Sequence, residues 1–209
     1  MKIAFILIAI FLVFFFIIFL FYPLFKRQYE LRFYKRIVGR TLYRIALNHD
    51  NFLINNVELK LNENMISFDH VFFGKKYIYC IKDIAYTIGI EGESRDTKWF
   101  QYDKKGMFKY IENPLRNNYV QMEFLKSYLH AGKEQNFFFS IVVINDDCEF
   151  NVYQPQEGEI LIKRKDLKKF LKSKEDDENI ATINQDQLEK IVQNLHDRCE
   201  KNNKEEVKK

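Results

Sequence analysis

The sequence predicts a mixed α/β domain with a central sheet, preceded by a single N-terminal transmembrane helix. Two observations predict this fold class. The segment from Ile3 to Phe25 carries no charged side chain and is followed directly by Lys26 and Arg27. Beyond it, helical and strand-like hydrophobic patterns follow one another in the order helix, three or four strands, helix, strand, strand, helix.

The uncharged segment has the length and composition of a membrane span. It holds 23 residues, mostly Phe, Ile and Leu. At about 1.5 Å of rise per residue, a helix of this length crosses the roughly 30 Å hydrocarbon core of a bilayer. A cleaved signal peptide would have a shorter apolar region and a cleavage site of small residues, and the exit sequence FYPLF offers none. We therefore predict an uncleaved anchor over residues 1–25.

Basic residues predict the orientation of this anchor. The N-terminal side offers Lys2 and the α-amine. The C-terminal flank is much richer in positive charge, with Lys26, Arg27, Arg32, Lys35, Arg36, Arg40 and Arg44. The basic flank of a span stays in the cytoplasm. The sequence thus predicts a single-pass protein of the cell membrane with a cytoplasmic C-terminal domain. The same charges would be attracted to anionic headgroups, although a topology signal alone explains them equally well.

The composition limits the classes of site. A formal net charge of +4 and a pI near 8.8 permit a nucleic-acid partner without requiring one. The three cysteines are widely spaced and form no C-x-x-C pair, which speaks against a structural zinc site or a disulfide framework. Free thiols fit a reducing cytosol. The four histidines show no spacing typical of metal ligands.

The elements follow from hydrophobic periodicity and from helix-starting and turn residues. Helices are predicted at residues 26–47, 115–131, 165–171 and 184–199. Strands are predicted at residues 52–61, 65–73, 76–82, 137–144 and 159–163, with 84–90 as an optional fourth strand of the first group. Asn113 and Pro114 open the second of the four helices, since proline suits a first helical turn.

Four segments follow from these elements. The anchor occupies residues 1–25 and the cytosolic domain residues 26–171. Residues 172–183 are predicted as a charged linker, because Lys172 to Glu178 has almost no apolar content. Residues 184–209 are predicted as a C-terminal helix and, from Glu200, a disordered tail.

A series of short motifs extends over about residues 36 to 145. The series begins with Gly39 in a helix and the strand FDHVFF, which carries Asp69. It continues with the strand segment Cys80-Ile81-Lys82, then Trp99, then Asn113-Pro114 at a helix start. Together these motifs resemble the nuclease-related domain (NERD) family, and the resemblance implies a restriction-endonuclease-like domain with a mixed sheet.

The resemblance also implies a nuclease site at one end of that sheet. Asp69 would be a metal ligand, and Asp69 and Lys82 would be the catalytic residues. Positions 80 and 82 share one face of a strand, so an acid at position 80 would complete a pair of carboxylates. Two carboxylates hold Mg²⁺, which activates water and stabilises charge on the phosphate, and the lysine orients the nucleophile or stabilises the transition state.

The chain departs from the family pattern at its acidic positions. Cys80 stands where the pattern has an acid, and a thiol is a poor ligand for Mg²⁺. Arg40 replaces the acid of the first helix, and Asn117 replaces a glutamine. Asp83 is predicted to point away from Lys82 because side chains alternate along a strand. The loop carboxylates that could replace the lost acid are Glu91, Glu93 and Glu112.

Each candidate also has a structural interpretation. Asp69 could be a buried strand residue held by hydrogen bonds, which buried acids require. Cys80 and Trp99 are typical core residues, and Lys82 could be a solvated strand end. The basic cluster could contact phosphates or be a solvated helix face, and it consists of Lys163, Arg164, Lys165, Lys168, Lys169, Lys172 and Lys174.

Two functions follow from these residues. The first is a membrane-anchored, non-catalytic module of the nuclease-like fold that binds nucleic acid or a protein. The alternative is a Mg²⁺-dependent nuclease acting on DNA or RNA. The loss of two acidic positions favours the first.

Overall fold

The computed structural model describes residues 2–61, 64–86, 88–102, 105–129, 137–153 and 158–206. The chain divides after Tyr34 into two compact units. The helices are α1 (Lys2–His49), α2 (Pro114–Tyr128), α3 (Arg164–Glu175) and α4 (Gln185–Glu206). The strands are β1 (Phe52–Leu61), β2 (Asn64–Phe73), β3 (Ile78–Ile84), β4 (Gly89–Glu93), β5 (Lys98–Tyr102), β6 (Phe108–Glu112), β7 (Phe138–Ile144), β8 (Glu149–Tyr153) and β9 (Glu159–Lys163).

The N-terminal unit is helical up to Tyr34. Helix α1 includes Pro23, and its regular geometry is interrupted at Phe33, where φ is −112° and ψ is 18°. Among the described residues, no single helix has the length and hydropathy of a membrane span. Two segments joined through a bend, Phe11–Pro23 and Gln28–His49, have the length and hydropathy of a membrane span when they are taken together. The predicted helices over residues 3–25 and 26–47 both fall within the range of α1, which is not a single regular helix.

The larger unit is built on a five-stranded mixed sheet in the order β1-β2-β3-β7-β9. The first three strands pair antiparallel, and β7 pairs parallel with both β3 and β9. The predicted α/β class with a mixed sheet is confirmed. The parallel strand β7 reads FFSIVVI, and burial on both faces explains its continuous apolar character.

Helices cover both faces of this sheet. On one face α2 and α4 pack, through residues such as Met122 and Leu195, in a core with β1, β2 and β3. On the opposite face, Gly39 of α1 lies against His70 of β2. Phe72 shares that face with His70 and contacts Tyr79 of β3, whose hydroxyl donates to Glu175 of α3. Residues 35–49 of α1 and helix α3 therefore cover the same face.

A second sheet of four strands has the order β6-β5-β4-β8. The sequence predicts a central sheet but does not predict this second sheet. Strands β5, β6 and β8 were not predicted, because one side of this sheet is polar or exposed and its strands lack a continuous apolar run. The optional strand at 84–90 is also misplaced, since Ile84 ends β3 and β4 begins at Gly89.

Strand β3 begins two residues later than predicted. The backbone N–H of Gly74 donates to the carbonyl of Tyr77, and this hydrogen bond closes a turn over residues 74–77. Residues 76 and 77 therefore belong to the turn. Helix α2 ends at Tyr128, three residues before its predicted end at Ala131, which itself lies outside the described residues.

The segment predicted as a linker begins as part of α3, which continues to Glu175. The Glu175 carboxylate accepts hydrogen bonds from the backbone N–H groups of Lys75 and Lys76 in the β2–β3 turn. The charged composition of this segment predicts a linker, whereas one of its charges, the Glu175 carboxylate, holds the turn. Of the tail predicted to be disordered from Glu200, the residues up to Glu206 continue α4, since the sequence contains no glycine or proline to end the helix there, and residues 207–209 lie outside the described residues.

Candidate functional site

Asp69 and Lys82 lie at the end of the β2–β3 ladder. Regular pairing runs from Phe73–Ile78 to His70–Ile81, so that Asp69 and Lys82 come directly after its last pair. The Nζ of Lys82 lies 3.5 Å from the Oδ2 of Asp69. The predicted proximity of these two side chains on adjacent strands is confirmed, whereas their catalytic role stays a prediction.

A backbone irregularity in β1 faces this end of the ladder. Asn56, which would stand opposite Asp69, has a left-handed φ of 53° and is absent from the pairing register. Asparagine tolerates this conformation better than most residues. Ile54 packs on the core before the irregularity and Val57 packs on it afterwards, so the alternation of side chains shifts by one residue. Regular sheet geometry therefore stops where Asp69 lies.

Lys35 of α1 is a third member of the site that sequence reasoning missed. Its Nζ lies 2.5 Å from the Oδ1 of Asp69, and its side chain is 51% exposed, against 8% for Asp69. The backbone N–H of Asp83 donates to the Oδ2 of Asp69 at 3.1 Å. Both carboxylate oxygens are thus engaged by protein groups. In the sequence, Lys35 was one of many juxtamembrane charges, and no motif singled it out.

The electrostatics of Asp69 favour its charged form. Burial alone would raise the pKa of the Asp69 carboxyl. The hydrogen bond from Lys35, the charge of Lys82 and the Asp83 N–H together outweigh burial and hold the pKa below its ordinary value. Asp69 is therefore a carboxylate at neutral pH with its charge compensated by lysines.

A second group of buried polar side chains adjoins Asp69. The Oδ1 of Asp83 lies 3.4 Å from the Nε2 of His70. The Nδ1 of His70 lies 2.6 Å from the Oδ1 of Asn55. Burial, with a further contribution from the charge of Asp69, raises the pKa of Asp83. His70 and Asp83 belong to the site's surroundings, and sequence reasoning gave neither a role.

Gly39, the first member of the motif series, makes room for this histidine. A Cβ atom at position 39 would lie 3.0 Å from the Cε1 of His70. Glycine therefore permits the close approach of α1 to β2. That approach also brings Lys35, one helical turn earlier, to Asp69.

The remaining motif residues have structural contacts. Trp99 is fully buried and its Nε1–H donates to the carbonyl of Glu93. The side-chain N–H group of Asn113 donates to the carbonyls of Ser94 and Asp96, and its Oδ1 caps α2 by accepting from Arg116 N–H. These residues hold the turn after β4 and fix the start of α2. The interpretation of Trp99 as a core residue is confirmed.

The substituted positions do not restore a second acid. Cys80 is fully buried in the apolar core with Met122 and Leu125, and burial raises the pKa of its thiol. Its interpretation as a core residue is confirmed. Arg40 is exposed on α1, whereas Lys35 of the same helix contacts Asp69.

The residues around Asp69 do not fit Mg²⁺. A divalent cation prefers several oxygen ligands, whereas Asp69 contacts two ammonium groups that would repel it. In the part of the chain that the structure describes, no three His, Cys, Asp or Glu side chains converge as metal ligands. The arrangement can hold a compensated charge and anchor α1 to the sheet.

Comparison with known proteins agrees with the motif series. Searches against curated proteins and against solved structures found no match. The sequence model described as nuclease-related domain matches residues 34–145, which is more than half of the chain and includes Lys35, Gly39, Asp69, Lys82 and Asn113. The chain therefore belongs to the nuclease-related domain (NERD) family.

Proposed function

We propose that this protein is a membrane-anchored member of the family that binds a protein partner and does not cleave nucleic acid. The observation that carries the loss of catalysis is the environment of Asp69. Lys35 and Lys82 occupy its two oxygens, at 2.5 Å and 3.5 Å. In a metal-dependent nuclease, the corresponding positive charge would be the metal ion.

Lysine cannot replace the metal's chemistry. An ammonium group compensates the carboxylate charge, but it does not activate a water molecule as a bound metal ion does. The position that would supply the second carboxylate, Cys80, lies in the apolar core. The site is thus suited to stabilising the contact between α1 and the sheet.

The four-stranded sheet supports a binding role. One of its faces carries a cluster of aromatic rings, with Phe100 centred 4.9 Å from Tyr110 and 5.4 Å from Phe108. Phe108 and Tyr110 are 56% and 63% exposed, and they lie on the edge strand β6. Exposed aromatic clusters of this kind are typical of interaction surfaces.

The charges on this face favour a cationic protein segment over nucleic acid. Strand pairing and alternation place one lysine, Lys98, on the face with the aromatic rings. They place four carboxylates there, namely Glu91, Glu93, Glu112 and Glu149. A phosphate backbone would be repelled by this excess of negative charge, whereas a basic segment would be attracted.

Two measurements test this proposal. We expect the full-length chain to show no Mg²⁺- or Mn²⁺-dependent cleavage of DNA or RNA above the level of Asp69→Ala. For binding, we expect Phe108→Ser/Tyr110→Ser to weaken capture of lysine- and arginine-rich peptides, and Val120→Ser, a change at an exposed residue of α2, to leave it unchanged. Robust cleavage by the wild type that is lost in Asp69→Ala would overturn the absence of catalysis. Peptide capture that is unchanged in Phe108→Ser/Tyr110→Ser would overturn the binding role of this face.

The alternative function, a Mg²⁺-dependent nuclease, has one observation in its favour. Asp83 supplies a second carboxyl beside Asp69, close enough for the charge of Asp69 to raise the pKa of Asp83. However, the side chain of Asp83 is fully buried and contacts His70. Cleavage that is lost in both Asp69→Ala and Asp83→Ala would favour this alternative.

Membrane anchoring and a cytoplasmic domain are the remaining parts of the proposal. They are supported by the uncharged segment from Ile3 to Phe25 and by the basic residues that follow it. A reporter fused after Lys209 is expected to behave as cytoplasmic. Labelling of a cysteine introduced near residue 205 by a membrane-impermeant reagent on intact cells would contradict this orientation.

A further inference from the structure

Two helices on one face of the five-stranded sheet carry matching outward stripes. On α1, the residues that face the core include Val38, Leu42 and Ile45, all buried. The opposite stripe is exposed and consists of Arg40, Tyr43, Arg44 and Leu47. These positions follow the spacing i, i+3, i+4, i+7, which defines one side of a helix.

Helix α3 repeats this arrangement. Leu167 and Leu171 are buried against the sheet. Its exposed stripe has the same spacing and consists of Lys165, Lys168, Lys169 and Lys172. Asp166 is the exposed acid of this helix, so the four lysines dominate its outward charge. We call the two stripes together the basic layer.

The chemistry of the basic layer fits a bilayer surface. It combines two arginines and four lysines with Tyr43 and Leu47, which are 56% and 62% exposed. Basic side chains are attracted to anionic headgroups, and tyrosine and leucine gain by entering the boundary between headgroups and acyl chains. A nucleic acid would use the positive charges but would gain little from an exposed leucine. The apolar members therefore favour lipid.

The layer also lies within reach of the anchoring segment along the chain. Arg40 follows Phe25 by 15 residues, so even a fully extended connection would span at most about 50 Å. We infer that the basic layer docks the domain onto the anionic surface of the membrane that holds the anchor. This inference rests on the proposed anchoring for the source of the membrane, but the docking surface itself is formed by residues 40–47 and 165–172.

A labelled full-length chain can report this docking. The three native cysteines are buried, so a cysteine introduced at the exposed Ser173, next to the stripe of α3, carries a fluorophore selectively. The chain is reconstituted in phosphatidylcholine vesicles with or without phosphatidylserine. We expect the label to be protected from a water-soluble quencher when phosphatidylserine is present, and this protection to disappear at high salt. Equal quenching in both vesicles would overturn the inference.

Matched variants identify the surface. Lys168→Glu/Lys169→Glu should lower the docking constant by at least about 25-fold, since each basic residue near an anionic surface contributes about fivefold. The control Lys109→Glu/Lys190→Glu changes the net charge equally at exposed residues outside both helices, and it should leave docking unchanged. An equal loss of docking in the two double variants would mean that docking depends on net charge alone and would overturn the inference.

Further measurements distinguish a lipid surface from a nucleic acid as the ligand, and docking of the domain from anchoring of the chain. Tyr43→Ser/Leu47→Ser should weaken the protection by phosphatidylserine. Protection by DNA in phosphatidylcholine vesicles that is insensitive to this variant would instead identify a nucleic-acid surface and overturn the inference. Release of the chain by alkaline extraction would disprove the anchor, while protection that still depends on phosphatidylserine would retain the docking surface.

Discussion

Removal of the Lys35 charge tests the contact between α1 and the sheet. Lys35→Met keeps most of the side-chain volume and leaves the Asp69 carboxylate with Lys82 and the Asp83 N–H. Breaking a fully buried ion pair costs about 3–5 kcal/mol, whereas an exposed pair contributes about 0.2–1 kcal/mol. Asp69 is buried but Lys35 is half exposed, so we expect Lys35→Met to lower the free energy of unfolding by about 1–2 kcal/mol.

The assay is denaturant unfolding of the full-length chain in detergent micelles, followed by the fluorescence of Trp99, the single tryptophan. The control is Lys126→Met, which removes a partly exposed pair with Glu123 and should cost at most about 0.5 kcal/mol. The double variant Lys35→Met/Asp69→Asn should show a coupling of about 1 kcal/mol. A cost no larger than that of Lys126→Met, with no coupling to Asp69, would refute the contact.

Three further predictions concern the buried polar groups. Asn113→Ala should destabilise the fold by about 2–4 kcal/mol, because it removes the cap of α2 and leaves carbonyls after β4 unpaired. The control Asn117→Ala loses an exposed hydrogen bond to Glu112 and should cost less than about 1 kcal/mol in the same unfolding assay. The folded-state pKa of Asp69 is lowered, so the stability it contributes is present above the unfolded pKa of about 3.9 and is lost as the pH falls through the folded pKa. The stability difference between wild type and Asp69→Asn should therefore be largest near neutral pH and shrink below about pH 4; a difference independent of pH would contradict this. Cys80→Glu should fail to fold or unfold easily because it buries a carboxylate in the core, whereas Cys80→Ser should fold with a modest loss, and circular dichroism of the two variants distinguishes the outcomes.

The strands of the larger sheet could be predicted because their side-chain pattern is set by burial. Residues 52–61 and 159–163 coincide with β1 and β9, and β7 was recognised from its continuous apolar run. Strands β5 and β6 combine aromatic with charged residues, and most of their side chains are partly or fully exposed, so their sequences resemble a polar loop. The second sheet was not predicted because many of its side chains are partly exposed.

The pair Asp69 and Lys82 could be predicted because motif order placed them on neighbouring strands. Lys35 could not, since the approach of α1 depends on the missing side chain at Gly39 and on tertiary packing that periodicity does not encode. The role of Glu175 could not be predicted for a related reason. A carboxylate at the end of a charged run resembles a linker residue until its partners, the N–H groups of Lys75 and Lys76, are brought to it by the fold.

Calorimetric titration with Mn²⁺ and Mg²⁺ tests most directly whether lysines have taken the place of a metal ion at Asp69. The titration compares the wild type with Lys35→Glu, which exchanges the contacting ammonium for a carboxylate beside Asp69 at a half-exposed position. The account predicts no Asp69-dependent binding by the wild type and a gain of Mn²⁺ binding in Lys35→Glu, since two carboxylates then face one another. Binding of Mg²⁺ by the wild type that is abolished in Asp69→Asn would contradict it.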